Sequence, residues 1–500
     1  MRFRESRFLI AVLLACAATA VRPVLAQSDQ AFPPEVYAAR RTRLGVQLDD
    51  AALVLPGRYL VGVNELPRQN ANFWYLTGVE SPYAILVMAP DRRPGASTGT
   101  WRTALFLPDS MQFAGAQFPM LDSLFRGAVW NRPVRRLAPG PLAARTTGVA
   151  ETFPLSEFST WLEELVGGAG PIFVPIPGDA MYSPPGFPRP LSIEQQFARA
   201  LTTQFPGRIF RDVTPLINRM RLVKDSYEID ALRRATLISA EAMDPLMRAI
   251  RPGMNDLEAA GILEMEWKKR GSPRASFAPI VGSGRNAMTF FTVMGENYNA
   301  VDRVMQAGDL LFVDYGAAEF RTYASDICRT FPVSGTFTPE QRKYYDIVLE
   351  AQEAAIAAVR PGVMMLDVVK AAATVYRKYG LERFEDPATM GVDHVWGVMP
   401  SPTHYLARDG GITRYSRFGA GVRDVGHHIG LDATDSRDWT VPLEAGMVVT
   451  IEPKIYIPDL NIAIMIEDMI LVTPTGRDNL SAAAPKKAAE IERMMAARPR

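Results

Sequence analysis

Four carboxylic acids lie inside apolar, strand-like runs of this 500-residue chain, at Asp314, Asp326, Glu452 and Glu467. Their neighbours are mostly leucine, isoleucine, valine, methionine and phenylalanine. Burying a charged carboxylate among such side chains is costly unless another group neutralises the charge. Any fold of this chain must therefore bring cations or protons to these four positions.

The two aspartates are expected on neighbouring strands. Asp314 ends the apolar run 310–314, Asp326 lies in the next apolar run, and the short segment 319–322 between them suits a hairpin connection. A hairpin would set the two carboxylates side by side. A second interpretation stays open for each aspartate taken alone, in which it caps a turn or forms an ion pair with Arg329.

The two glutamates repeat the pattern, since Glu452 ends the run 447–452 and Glu467 ends the run 462–467. Four acids packed together without cations would repel one another, and some would be forced to bind protons. Two divalent cations carry four positive charges and balance the four carboxylates. We therefore predict a centre for two divalent metal ions rather than for one.

The chain has four histidines, of which His427 is the candidate metal ligand. Glycines on both sides of it allow close approach of the backbone. His428 would point the other way in an extended segment, which favours a packing role. His394 and His404 lie in a stretch rich in glycine and proline, which favours a surface loop. A lone histidine is usually structural, so the assignment of His427 depends on the resemblance described below.

Composition places the chain among globular proteins and favours two domains. Hydrophobic residues make up 48% of it, charged residues 22%, and the net charge of +1 comes without a basic block that would indicate nucleic-acid binding. No internal apolar run approaches the roughly 20 residues of a membrane span.

The pattern of strands and helices predicts an α/β domain at residues 30–218 and an α+β domain at 222–492. Residues 171–190, rich in proline and glycine, are expected to form an irregular loop. Strands are predicted at 52–55, 59–63, 83–88, 103–107, 310–318, 323–333, 447–457 and 462–472. Helices are predicted at 155–166, 193–203, 227–249, 255–270, 339–359 and 365–379.

Residues 1–26 have the pattern of a secretory signal peptide, which predicts a periplasmic or secreted protein. Three arginines precede an apolar stretch at 8–20, and small residues follow at 24–26. An uncleaved anchor helix and lipid attachment at Cys16 are the alternatives. Cleavage would leave Cys328 as the one cysteine, so no intrachain disulfide is expected.

The candidate ligands follow the order Asp, Asp, His, Glu, Glu, and with their flanks they resemble the Xaa-Pro aminopeptidase and prolidase family. The N-terminal half agrees, because residues 72–78 resemble the family's first-domain signature and 221–229 the start of its catalytic domain. The resemblance implies a C-terminal pita-bread catalytic domain of the creatinase/aminopeptidase type, preceded by an α/β domain. The other matching segments are 312–316, 325–332, 426–432, 450–453 and 466–468.

The resemblance also implies a role for each ligand. Asp326 and Glu467 would bridge two ions, Asp314 would hold one of them, and His427 with Glu452 would hold the other. Glu452 would in addition accept the proton of the attacking water. Ligands this rich in oxygen favour a hard ion such as Mn²⁺, although Zn²⁺ and Co²⁺ also fit. The family removes an N-terminal residue that precedes proline, so a peptide is the expected substrate. A homo-oligomer, dimer or tetramer, is expected by the same resemblance.

Four positions depart from the family around the substrate. Phe291, Thr434 and Arg423 stand where the family has histidines, and Met465 stands where it has an arginine. Loss of one such donor typically costs about 10²–10³ in rate. Arg423 is the first candidate replacement that would stabilise the developing negative charge. His394 or His404 could reach the site from their loop, and Tyr298 and Tyr315 are further candidates for which packing is the alternative role. Cys328 replaces a threonine and is expected to be a small buried thiol.

These departures leave three functions open. The first is a peptidase, with the family's substrate or an altered one. The second is a weak or inactive protein that binds metal and peptide, and the third is a hydrolase of non-peptide substrates such as phosphoesters. Retention of all five ligands favours catalysis.

Overall fold

In the part of the chain that the structure describes, an N-terminal domain is built on one mixed sheet and a C-terminal domain on three smaller sheets, as a computed structural model shows. Structure is described for residues 32–58, 68–97, 99–108, 112–113, 116–117, 137–166, 170–176, 191–288, 303–316, 321–381, 405–406, 412–413, 426–435, 441–457 and 460–497.

Six strands form the N-terminal sheet in the order β6-β3-β2-β1-β7-β8. The apolar strand β1 is buried along its whole length and pairs antiparallel with β2 and parallel with β7. The strands are β1 Ala52–Pro56, β2 Ile85–Pro90, β3 Trp101–Leu107, β6 Glu151–Pro154, β7 Ile172–Val174 and β8 Phe210–Asp212, and β4 Gln112–Phe113 with β5 Ala116–Gln117 forms a separate two-stranded pair.

The prediction of an irregular loop over 171–190 is wrong at its start. Ile172, Phe173 and Val174 form β7, which pairs in parallel with both β1 and β8. A β-branched and aromatic triplet fits a buried pleated surface, and this preference outweighs the surrounding prolines and glycines. Residues 177–190 and the predicted strand at 59–63 lie outside the described residues.

Helices surround this sheet and lead into the second domain. Asn70 caps one of them, because its side chain accepts hydrogen bonds from the backbone of Asn72 and Phe73. A 3₁₀ turn at Leu155–Glu157 opens the predicted helix at 155–166. The helices are α1 Pro34–Leu48, α2 Ala71–Thr77, α3 Pro141–Thr147, α4 Phe158–Val166, α5 Ile193–Gln204 and α6 Thr214–Leu222.

Four described helices of the C-terminal domain agree with the predicted ranges to within one residue at each end, and a fifth, at Ala488–Ala496, was not predicted. Asp225, Asn255 and Thr338 cap the first three of them through their side chains, each with a glutamate or glutamine three residues later that closes a capping box. The helices are α7 Ser226–Ala249, α8 Asp256–Lys269, α9 Pro339–Ala358, α10 Met365–Lys378 and α11 Ala488–Ala496, and a 3₁₀ turn covers Gly284–Met288.

Three sheets lie in the C-terminal domain, in the orders β11-β10-β9, β14-β17-β18 and β13-β12-β15-β16. Their strands are β9 Ile280–Ser283, β10 Leu310–Tyr315, β11 Ile327–Pro332, β12 Tyr405–Leu406, β13 Ile412–Thr413, β14 Val448–Ile451, β15 Lys454–Ile457, β16 Ile462–Met465, β17 Asp468–Thr473 and β18 Gly476–Asn479.

The two strands predicted at 447–457 and 462–472 are each divided in two, which corrects those predictions. β14 ends before Glu452, and β15 begins after Pro453 in a different sheet. β16 ends before Ile466, and β17 begins after Glu467, again in a different sheet. Proline has no N–H to donate to a ladder, which favours the first change of sheet. Both glutamates therefore lie at points where the chain leaves one sheet for another.

Contacts between the domains fix the segment that carries His427. Arg40 of α1 forms an ion pair with Asp225 at 2.9 Å. Arg221 donates to the side chain of Asn72 at 2.6 Å and pairs with Asp432 at 2.7 Å. Among the described residues, no helix is long and apolar enough to cross a membrane.

Candidate metal centre

The two aspartates lie on the antiparallel pair β10 and β11, as predicted, but not directly opposite each other. Asp314 faces Cys328 in the register, and Asp326 comes just before β11 begins. Residues two apart on a strand share a face, so Asp326 is the diagonal neighbour of Asp314 on that face. The carboxyl groups of Asp314 and Asp326 are within hydrogen-bonding reach of each other.

The two glutamates are held at the strand breaks by backbone contacts. The N–H of Glu467 donates to the carbonyl of Cys328 at 3.0 Å, which anchors it beside β11. The buried side chain of Gln352, from α9, donates to the carbonyls of Ile451 at 3.3 Å and Ile466 at 3.1 Å. One side-chain amide thus donates a hydrogen bond to the backbone carbonyl of the residue before each glutamate. Gln352 was not predicted from the sequence, because a glutamine within a helix carries no distinguishing signal.

His427 points one ring nitrogen at the carboxylates. Its Nε2 is 3.5 Å from Asp326 Oδ2 and 3.6 Å from Glu452 Oε1. Its Nδ1 is 3.1 Å from the carbonyl of His428, a contact that favours a proton on Nδ1, so that the lone pair of Nε2 faces the carboxylates. The backbone N–H donates to Thr450 Oγ1 at 3.0 Å, which ties His427 to β14.

These five residues, Asp314, Asp326, His427, Glu452 and Glu467, form the candidate metal centre. None of them is more than 8% exposed. Ligand atoms of Asp326, His427 and Glu467 all lie within 4.8 Å of one another. His428 pairs with Val449 of β14 and is buried, as its predicted packing role requires.

Burial and mutual repulsion raise the pKa of three of the carboxyl groups. Burial is the largest cause for Asp314 and Glu467, whose pKa values lie well above the ordinary range, and the neighbouring acids add to it. The pKa of Asp326 is also raised by burial, while His427 opposes the shift. Among the described residues, Asp314 Oδ1 has no hydrogen-bond partner. Carboxylate oxygens are ligands that divalent cations prefer, and such cations would supply both the neutralising charge and a contact for Asp314 Oδ1.

A lysine that was not predicted from the sequence, Lys454, also lies at the centre. It is the first residue of β15, it is buried, and its Nζ lies 2.9 Å from Glu452 Oε2. The signal was a basic residue in the middle of the apolar run 447–457, two positions after a candidate ligand.

Comparisons with known proteins agree with this geometry. The family model of metallopeptidase family M24 matches residues 230–474, and the model of the aminopeptidase P N-terminal domain matches residues 37–173. The Xaa-Pro aminopeptidase of Escherichia coli (strain K12) is 32% identical over 443 residues, which cover 86% of this chain and 89% of that protein. The chain belongs to the Xaa-Pro aminopeptidase family.

Other family members extend the match over almost the whole chain. Xaa-Pro aminopeptidase 1 of Streptomyces coelicolor is 29% identical, over 92% of this chain and 87% of that protein. A zinc-substituted aminopeptidase P of E. coli, solved with its product, superposes with a TM-score of 0.70 at 27% identity and covers 94% of this chain and 100% of its own. The predicted fold class and the assignment to the metallo-aminopeptidases are confirmed.

The family's substrate-side positions are partly visible. Met465 is buried, and it packs with Phe312 and Cys328 in a small apolar cluster on the face that carries Asp314. Cys328 is a buried thiol, as expected, and burial raises its pKa. Thr434 is exposed. The remaining substrate-side residues, Phe291, Tyr298, His394, His404 and Arg423, lie outside the described residues.

Two alternative interpretations from the sequence are settled by contacts. Arg329 does not pair with either aspartate of the centre but with Asp468, at 2.7 Å and fully buried. The hydroxyl of Tyr315 donates to the carbonyl of Ser239 at 2.7 Å, so this tyrosine packs behind the sheet.

Proposed function

We propose that this family member is an exported hydrolase that removes the N-terminal residue of peptides whose second residue is proline, using two divalent metal ions. The observation that carries the proposal is the candidate metal centre, in which four buried carboxylates and one imidazole nitrogen converge. A structural role alone does not require four acids to be placed against one another at such electrostatic cost.

The proposed division of the ligands is the one that the family resemblance implies, and the position of Asp326 is consistent with it. Asp326 contacts both Asp314 and His427, so it sits between the two sides of the centre. By the resemblance, Asp326 and Glu467 are the proposed bridging ligands. Asp314 would hold one ion on its side, and His427 with Glu452 would hold the other, with Mn²⁺ the proposed metal and Zn²⁺ or Co²⁺ able to replace it.

Bound divalent ions would lower the pKa of a water molecule and polarise the scissile carbonyl. Glu452 is placed to accept the proton of that water, because its Oε1 faces His427 and its Oε2 is fixed by Lys454. Thr450 Oγ1, 3.3 Å from Glu452 Oε1, limits the rotation of the same carboxylate.

Arg423 is the proposed replacement for a family histidine on the substrate side. It precedes His427 by four residues in the sequence, and a guanidinium can donate two hydrogen bonds to a developing oxyanion. Substitution of Arg423 by methionine would then lower kcat by about 10²–10³.

Export and assembly remain proposals of the same kind. The arginines and apolar residues of segment 1–26 support cleavage of a signal peptide and a periplasmic or secreted address. The resemblance supports a dimer or tetramer. Amino-terminal sequencing of the exported protein and its mass in solution would test the two proposals.

The activity test compares three peptides that differ only in the second residue, which is proline, alanine or glycine. The protein is purified without its first 26 residues, freed of metal and loaded with Mn²⁺. We expect the first residue to be released faster from the proline peptide than from the alanine or glycine peptide. Glu452→Gln, which preserves shape but cannot accept the proton, controls for contaminating peptidases and should release nothing.

Equal release from wild type and Glu452→Gln would contradict the proposal. A wild type that binds Mn²⁺ and peptide without releasing any residue would favour the metal-stabilised binding protein. Hydrolysis of a phosphoester but of no peptide would favour the non-peptide hydrolase.

A further inference from the structure

Lys454 places a positive charge inside the candidate metal centre. Its side chain is only 3% exposed, and its ammonium group is 2.9 Å from Glu452 Oε2. Lysine is almost never buried to this degree unless it is paired, so this position is a built feature of the site.

The strand register links Lys454 to a departure from the family. In the antiparallel pair of β15 and β16, Lys454 lies directly opposite Met465. Directly opposite residues project from the same face of a sheet, with Cβ atoms about 4.5–5.5 Å apart. Met465 occupies the position of the family's arginine. The cation missing from β16 is thus present on the neighbouring strand, at the paired position.

We propose that Lys454 is a positioning residue that holds the carboxylate of Glu452 by its Oε2 and supplies the site charge that an arginine at position 465 would supply. Glu452 Oε1 then faces His427, at 3.6 Å, and the proposed metal position. The proposal rests on the proposed function, because it assigns Glu452 a part in hydrolysis.

The charge balance shows what Lys454 would add. Four carboxylates carry four negative charges, and two divalent ions carry four positive charges. Lys454 therefore gives the loaded centre one net positive charge. Fixed positive charge beside the place where negative charge develops stabilises the transition state. The same positive charge repels metal ions in the resting protein.

Lys454→Met tests these two effects with little change in shape, since both side chains are long and unbranched. With saturating Mn²⁺ and the proline peptide, we expect kcat to fall by about 10²–10³ while KM changes only a few-fold. The affinity for Mn²⁺, measured by competition with a chelator, should rise about tenfold or more, because a nearby cation is removed. Lys268→Met, which removes an exposed lysine paired with Glu264 at 3.0 Å, is the control and should change neither quantity.

Two further variants separate positioning from simple packing. Lys454→Arg keeps the charge, and Lys454→Met combined with Met465→Arg moves it back to the opposite strand. Both should recover kcat to within about tenfold of wild type, the loss typical of less than one catalytic hydrogen bond. A Lys454→Met protein that binds Mn²⁺ more weakly and melts lower would overturn the proposal, since that is the result of a merely structural lysine. A Lys454→Met protein with unchanged kcat would overturn it as well.

The metal measurement also keeps the two proposals distinguishable. If wild type cleaves no proline peptide, the proposed function fails. A gain of Mn²⁺ affinity in Lys454→Met would still support the placement of its charge in the centre, and an unchanged affinity would reject it.

Discussion

Arg329 stands directly behind the candidate metal centre and binds several parts of the backbone at once. Its guanidinium donates to the carbonyls of Cys328 at 2.8 Å and Glu467 at 2.5 Å, and it pairs with Asp468 at 2.7 Å. Cys328 lies in β11, which follows the ligand Asp326, and Glu467 is itself a ligand that directly precedes β17. A single fully buried side chain therefore holds together the β11 side and the β17 side of the centre.

Arg329→Met should destabilise the protein by about 3–5 kcal/mol, because buried backbone carbonyls lose their donor and the Asp468 carboxylate keeps Lys486 as its ion-pair partner without Arg329. Chemical denaturation of the metal-free protein measures the change. Arg342→Met is the matched control, since Arg342 forms an ion pair with Asp346 on an exposed helix face. Its loss should cost about 0.2–0.5 kcal/mol. Equal effects of the two substitutions would show that burial does not distinguish these ion pairs.

The segment that carries His427 lies directly against strand β14. Thr450 donates its N–H to the carbonyl of His427 at 2.8 Å, and Gly426 has a φ of 154°. A Cβ at Gly426 would stand 1.7 Å from the carbonyl oxygen of Thr450, which is backbone and cannot move aside. The close approach of these two elements depends on glycine, and it aims the imidazole.

Gly426→Ala should therefore displace the segment and reduce Mn²⁺ affinity by about tenfold or more, the usual effect of disturbing the support of a ligand. Gly261→Ala is the control, because Gly261 lies in helix α8 with open space around its Cα. That substitution should leave metal affinity unchanged and stabilise the protein by about 0.5–1 kcal/mol. Wild-type metal affinity in Gly426→Ala would contradict the role given to the close approach.

Elements that carry their own local signals were predictable from the sequence. Helices α7, α8 and α9 combine periodic apolar residues with capping boxes, and their ends agree with the predictions to within one residue. The division of the predicted strands at Glu452 and Glu467 was not predictable, because an apolar run does not show which sheet it joins. The short strand β7 was missed for the same reason, since its partners β1 and β8 lie far away in sequence.

The acids of the candidate metal centre were predictable because a carboxylate in an apolar strand is unusual in itself. The structure brings them together with His427, where ion-pair distances connect Asp326, His427 and Glu452. Lys454 and Gln352 were missed. A lysine or glutamine next to apolar residues usually reaches solvent, and only the fold shows that these two are buried against the glutamates.

A rise in pH should lower the stability of the metal-free protein and strengthen its binding of metal. Asp314 and Glu467 have folded-state pKa values raised above their unfolded values of about 4. The metal-free folded protein therefore keeps protons that the unfolded chain releases. The contribution of these two groups to the stability of the metal-free protein is greatest below about pH 4. It falls as pH rises through their folded pKa values. Metal binding requires the deprotonated forms and strengthens over the same range.

We therefore expect the gap between the melting temperatures of Mn²⁺-loaded and chelator-treated protein to widen steadily from pH 5 to pH 8. Each proton involved contributes up to about 1.4 kcal/mol per pH unit. The double variant Asp314→Asn with Glu467→Gln removes both groups. The melting temperature of its metal-free form should therefore depend less on pH. A gap that stays constant in wild type would show that these carboxyl groups do not change protonation on metal binding.

A crystal structure of the Mn²⁺-loaded protein, with anomalous scattering data, would show whether five side chains hold two divalent ions. We expect two anomalous peaks, both contacted by Asp326 and Glu467, with Asp314 beside one and His427 with Glu452 beside the other. Lys454 should remain against Glu452 Oε2. A single peak, with the Lys454 ammonium in the place of a second ion, or no peak at all, would contradict the account.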